Sequence, residues 1–138
     1  MAPLLPSLVA AHFDAQGHAN GWMSKAAFFY LYLGIQSFYC LLYYLPRQWL
    51  VRNNNKIINW EYWLSPEHQQ KTLHTLRFFI QRFSLVSLLF MAVIFQLAMQ
   101  ANLVSPPQFN ATYFLVLLIA YLIYIGLFIL RFFKRFKL

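Results

Sequence analysis

Three stretches of the chain carry no charged side chain over the length a helix needs to cross a bilayer, and they leave only short polar segments between them. Residues 26–45 read AAFFYLYLGIQSFYCLLYYL and close at Pro46 and Arg47. Residues 83–101, FSLVSLLFMAVIFQLAMQA, stop at Asn102 ahead of Ser105-Pro106-Pro107, residue types that turn the chain instead of continuing a helix. Residues 111–130, ATYFLVLLIAYLIYIGLFIL, are the most apolar and run into Arg131-Phe132-Phe133-Lys134-Arg135-Phe136-Lys137. Each can span a hydrocarbon core of about 30 Å. The pattern predicts an all-α membrane protein with three transmembrane helices.

Composition supports this. Of the 138 residues 61% are hydrophobic and 10% charged, against roughly 45–50% and about 25% in soluble domains, so neither a soluble fold nor a disordered chain fits. The net charge of +8 flanks the apolar runs and is not spread over a polar face, which argues against a nucleic-acid partner. Arg47, Arg52, Lys56, Lys71, Arg77 and Arg82 lie between the first two spans, and Arg131, Lys134, Arg135 and Lys137 follow the third. The opposite side has Lys25 alone. The positive-inside rule then puts the N-terminus outside and the C-terminus inside, with a bacterial inner membrane as the expected location. The first run starts only after Lys25 and ends in Tyr43-Tyr44-Leu45-Pro46, unlike a cleaved signal peptide with its small-residue exit.

The segments outside the spans divide into an outer motif (1–25), an inner interfacial stretch (46–65), an outer loop (102–110) and a basic inner tail (131–138). Trp49, Trp60 and Trp63 suit the headgroup level, where rings are half apolar and half polar, and are expected interfacial anchors. Ser65-Pro66-Glu67 reads as a helix start, with a capping serine, proline at the first position and an acid in the first turn. A helix over 66–101 would be roughly 54 Å long and would project beyond the inner surface. Leu73, Leu76, Phe79, Ile80 and Phe83 recur on it at helical spacing, so one face wants a partner.

The spans hold little chemistry. Pumps and proton relays need ionisable groups at depth, and these runs have none. Gln36 and Gln96 are expected to hydrogen-bond between helices. No cofactor is expected, since haem ligation in a bundle needs histidine within the spans and all four histidines lie outside them. The single cysteine, Cys40, sits in an apolar run and reads as a small hydrophobe. Aromatic residues make up 20% of the chain, more ring surface than three helices can bury on one another.

The outer motif carries the most information: Leu5-Pro6, then His12-Phe13-Asp14, Gly17-His18, Gly21-Trp22 and Ser24-Lys25. Gly17 and Gly21 permit positive φ in a tight turn, Asp14 and Asn20 can bond local backbone, and Trp22 can anchor at the interface. A compact folded loop is expected. His12, Asp14 and His18 are of metal-ligating type, but their spacing matches no zinc pattern, so no metal is assigned. His12, Phe13, Asp14, Gly17, Gly21, Trp22 and Lys25 are the candidate ligand- or partner-binding residues.

This order of Leu-Pro, His-Phe, Gly, Gly-Trp and Ser-Lys ahead of a transmembrane helix resembles the bacterial membrane family catalogued as domain of unknown function 1648. Asn59-Trp60-Glu61-Tyr62-Trp63-Leu64-Ser65-Pro66-Glu67 is similar to a stretch of its small members. The family pattern would place a further transmembrane helix ahead of Leu5, where this sequence has four residues. Some members are related to immunity factors that protect a bacterium from its own peptide toxin, so the resemblance implies recognition of a peptide or small ligand by the outer loop. The residues themselves favour a different expectation. They suggest a non-enzymatic accessory or scaffolding subunit that contacts lipid and either other membrane subunits or further copies of itself. An interfacial enzyme would need a nucleophile with a base or a carboxylate cluster, and only His12 with Asp14 qualifies even in part.

Overall fold

The computed structural model describes residues 5–44 and 59–136, without the side chain of Trp60. The three long helices are present, each long and apolar enough to cross a membrane, and the protein is a multi-pass membrane protein. Ahead of them lies a two-stranded antiparallel hairpin, β1 (Leu8–Phe13) and β2 (Ala19–Ser24). The outer motif is therefore an ordered sheet element where a compact loop was expected.

The hairpin leads directly into α1 (Lys25–Tyr43). Ser24 ends β2 and caps α1, its Oγ accepting from the Ala27 N–H at 3.2 Å, the usual way to satisfy one of the orphan donors of a first turn. After a short α2 (Trp60–Trp63) come α3 (Gln69–Ala101) and α4 (Ala111–Phe136). The 33 residues of α3 extend roughly 50 Å at 1.5 Å per residue.

Central in the bundle, α3 packs on both α1 and α4, more closely on α1. Phe95 of α3 stacks on Tyr32 and Phe28 of α1, with centroids 3.7 and 5.2 Å away. The Tyr32 hydroxyl donates to the Met91 carbonyl, and Gln36 Nε2 donates to that hydroxyl at 2.7 Å. Gln36 thus reaches α3 through Tyr32; Gln96, half-buried on α3, is also engaged. On the other side Tyr121 of α4 stacks on Phe90 at 4.1 Å and shares a 2.8 Å hydrogen bond with Ser87. The buried positions on α3 are correspondingly small or polar at the crossing, with Ser84 and Ser87 almost inaccessible. This is how membrane helices approach closely when lipid supplies no hydrophobic drive between them.

The end of the bundle away from the hairpin differs from expectation at Ser65 and at the tail. Ser65 does not cap α3 with its side chain. Its Oγ donates to the Tyr62 carbonyl at 2.9 Å and lies 2.9 Å from His68 Nδ1, so residues 66–68 form a turn and the helix begins at Gln69. The basic tail is helical to Phe136. The third span and that extension together meet the α3 face, Phe79 lying 5.4 and 5.5 Å from Phe128 and Phe132 and Phe83 5.7 Å from Phe128. Of the expected interfacial anchors, Trp63 is half-buried with its ring 5.3 Å from that of Phe136. Trp49 lies outside the described residues.

Candidate functional site

The polar chemistry of the described residues concentrates at the end where the hairpin, the start of α1, the end of α3 and the 102–110 loop meet. The hairpin turns between Phe13 and Ala19 through Asp14. Its backbone N–H donates to the His18 carbonyl at 2.9 Å, and its carbonyl accepts from Gly17 N at 3.0 Å. The carboxylate folds back into the same turn, Oδ1 accepting from the backbone N–H groups of Gln16 and His18 at 2.9 and 2.8 Å. Oδ2 lies 3.3 Å from His18 Nδ1. Hydrogen bonding to the charged form favours it, and the His18 N–H first, then that of Gln16, holds the Asp14 carboxyl below the usual aspartate value.

Gly17 fits the expectation of positive φ, at +86°. The reason is partly tertiary: its carbonyl accepts from Phe109 N at 2.8 Å, and a Cβ there would run into the Phe109 carbonyl oxygen. Gly21 has a different role from the one expected. It does not adopt positive φ; a Cβ on it would lie 3.0 Å from His12 Cβ and 3.1 Å from His12 Cδ2, so the residue makes room for the His12 side chain across the hairpin. Lys25 is a clamp, its N–H donating to the Ser7 carbonyl at 2.9 Å and its Nζ to the Leu5 carbonyl at 3.1 Å.

The residue that joins hairpin to bundle is Asn102, read in the sequence only as a helix stop. It is 5% exposed. Its Oδ1 accepts from Ala10 N at 2.7 Å, and its Nδ2 donates to the carbonyls of Ala10 and Ala98 at 2.9 and 2.8 Å. The primary amide reproduces what a neighbouring strand would offer Ala10, one donor and one acceptor side by side. Gln108 adds a second tie, Nε2 donating to the Gln16 carbonyl at 3.1 Å, and Phe109 stacks on Phe13 at 4.9 Å. Nothing local in the sequence signals these contacts, since Asn102 and Ala10 are 92 positions apart.

Beneath the hairpin these ties leave a cleft of about 460 Å³, walled by residues 11–15, by Ile94 and Ala98 of α3, by Phe109, and by Ala111, Phe114 and Leu115 of α4. Its walls are mostly apolar, and its size falls within the roughly 300–1,000 Å³ of small-molecule sites. His12, Phe13 and Asp14 line it. Gly17 and Gly21 shape the hairpin, Lys25 clamps its base, and Trp22 is 56% exposed on β2, so the seven candidate residues do not converge on one point. Asp14 and His18 meet, while His12 crosses to Gly21. Among the described residues no three histidine, cysteine or carboxylate side chains come together as a metal site would require.

The hairpin, its Ser24 cap and the start of α1 form one continuous unit, and it is this unit that a family model covers. Residues 1–35 match the family model of DUF1648, a domain of unknown function. The DUF1648 match spans 35 of the 138 residues and ends within α1, so the resembling stretch at 59–67, α3 and α4 lie beyond it. No curated protein and no solved structure matches the chain. The described part of the matched segment, residues 5–35, is a β-hairpin whose second strand ends as the cap of the first long helix.

Proposed function

We propose that this protein is a non-enzymatic membrane module, an accessory or scaffolding subunit that assembles through its helix faces with other membrane subunits or with further copies of itself. The observation that carries this reading is the small amount of surface the three helices bury on one another. Among the described residues α4 has no buried side chain and α1 has only Phe28. Gly34 on α1 and Gly126 on α4 have open space where a Cβ would stand, and small residues on an exposed face let another helix backbone come close. The orientation that goes with it puts the hairpin outside and the basic end inside. Lys71, Arg77, Arg131, Lys134 and Arg135 all lie toward the end of α3 and α4 away from the hairpin, in keeping with the positive-inside rule, at a bacterial inner membrane. The polar pair at the outer end supports a non-catalytic role, because the Asp14 carboxylate is already used within its own turn.

Gentle solubilisation through a tag placed after Leu138, followed by native mass spectrometry, tests the reading. Assembly predicts a particle heavier than the 16.4 kDa chain with a stoichiometric partner or further copies. A lone chain in every mild detergent would overturn it.

One observation favours a second reading, a receptor or immunity-like protein that recognises a peptide or small ligand outside the membrane. It is the cleft beneath the hairpin, at a size suited to a ligand. His12→Ala changes a wall residue of that cleft, and unchanged ligand binding or toxin resistance in that variant would sink this second reading.

A further inference from the structure

The two outer edges of the hairpin are unequal. In an antiparallel pair, directly bonded residue pairs alternate with pairs whose N–H and C=O groups point away from the partner strand. Lys25 N donates to the Ser7 carbonyl, which makes 7 with 25 a bonded pair. Along the register Leu8–Ser24, Val9–Met23, Ala10–Trp22, the alternation then turns the backbone groups of Ala10 and Trp22 outward. For Ala10 this is seen directly, since its N–H and carbonyl are both taken by Asn102. The β1 edge is closed at Ala10.

The edge of β2 at Trp22 is open: among the described residues no protein group meets its outward N–H and carbonyl. Unpaired edge groups are a template for another strand, and proteins ordinarily guard them with charge, proline or a covering element. Strand β2, ANGWMS, has neither charge nor proline, whereas the equivalent place on β1 is covered. The Trp22 side chain beside the open groups is 56% exposed.

We propose that the β2 edge pairs with the β2 edge of a second copy, antiparallel about a two-fold axis through Trp22. In that register the Trp22 N–H of each copy donates to the Trp22 carbonyl of the other, and the two indoles become cross-strand neighbours, a favourable aromatic pair. Ser24 of one strand falls opposite Asn20 of the other, and no like charges meet. The occupant is a second copy because all copies inserted in the same sense carry this edge at the same height above the bilayer, with the same uncharged, self-complementary sequence. This deepens the assembly reading and rests on it for that shared orientation.

Cysteine cross-linking in native membranes tests the pairing. In a Cys40→Ala background, Trp22→Cys places two sulfurs on a bonded pair whose Cα atoms are about 5.5 Å apart, inside the range a disulfide bridges. Leu8→Cys on β1, one strand further from the proposed axis, is the control. Oxidation is expected to give a disulfide-linked dimer at position 22 well above that at position 8. With cysteine-free copies bearing two different tags, Trp22→Pro removes both the outward donor and the indole and leaves the bonded pairs of the hairpin intact, so recovery of mixed pairs falls at least about tenfold, as loss of one hydrogen bond per copy together with the ring pair entails. Equal cross-linking at positions 22 and 8, or a position-22 cross-link only to a different protein, overturns the proposal. If it is overturned while the tagged chain still elutes in a large particle, the assembly reading stands; a position-22 dimer from a chain that is otherwise monomeric in detergent means the helix faces are not what assembles it.

Discussion

At the hairpin end of the molecule, backbone groups are met by directed partners: Asn102 at Ala10, Phe109 at Gly17, Lys25 at Leu5 and Ser7, Asp14 within its own turn. Along the three spans the contacts are mostly ring on ring, Phe95 with Tyr32, Phe90 with Tyr121, Phe79 with Phe128 and Phe132, and few large apolar side chains are buried. The difference follows from solvent. In lipid an apolar side chain gains little by moving from a tail to a neighbouring helix, so the spans stay in contact through a few polar and aromatic points. The hairpin end has backbone groups that helix geometry cannot satisfy, and each needs a specific answer.

That contrast can be broken hardest at Asn102. Asn102→Leu leaves the Ala10 N–H and carbonyl buried without partners, at about 1–3 kcal/mol each, and is expected to release the hairpin from α3. Limited proteolysis in membranes reads this as faster cleavage within residues 5–25, with α3 and α4 still protected; unchanged protection would mean the amide is dispensable. A smaller effect is expected in the spans. Ser87→Ala removes the Tyr121 bond and should cost about 0.6 kcal/mol, the typical value for interhelical bonds in bilayers, measured by unfolding in detergent titrated with denaturing surfactant. A loss as large as that of Asn102→Leu would erase the distinction between the two regions.

The smallest expected effect is on acid sensitivity. The Asp14 carboxyl is held below its ordinary value in the folded turn, so the stability it contributes is present above the unfolded-state pKa and is lost as pH falls through the folded one. Asp14→Asn should flatten that acid limb, seen as hairpin protection against protease across an acidic pH series, and leave behaviour at neutral pH nearly unchanged because the group is exposed.

The spans were legible because absence of charge over a membrane's thickness is a signal carried by each residue independently. The hairpin was not, since neither LVAAHF nor ANGWMS alternates apolar with polar cleanly. Val9 and Ala10 are adjacent and both fully buried, one on the ladder and one under Asn102. Gly17 is legible as a turn residue, whereas the reason for Gly21 lies in His12 across the hairpin from it. At the end away from the hairpin the interleaving of Phe132, Phe133 and Phe136 with Arg131, Lys134 and Arg135 reads from sequence as a basic tail. Its helical spacing makes sense once Phe79 is known to lie opposite.

The bond between Ala10 and Asn102 also dates the hairpin in the life of the chain. Ninety-two positions separate its two ends, and at about 5–20 residues per second of synthesis the interval is roughly 5–18 s. Through that time α1 must emerge and α3 must be made before the amide arrives, so the nascent hairpin lacks its Asn102 partner at Ala10. The finished hairpin cap is thereby a record that α3 has been completed, and a chain truncated before Asn102 would carry the same thirty-five residues that match DUF1648 without a latched hairpin.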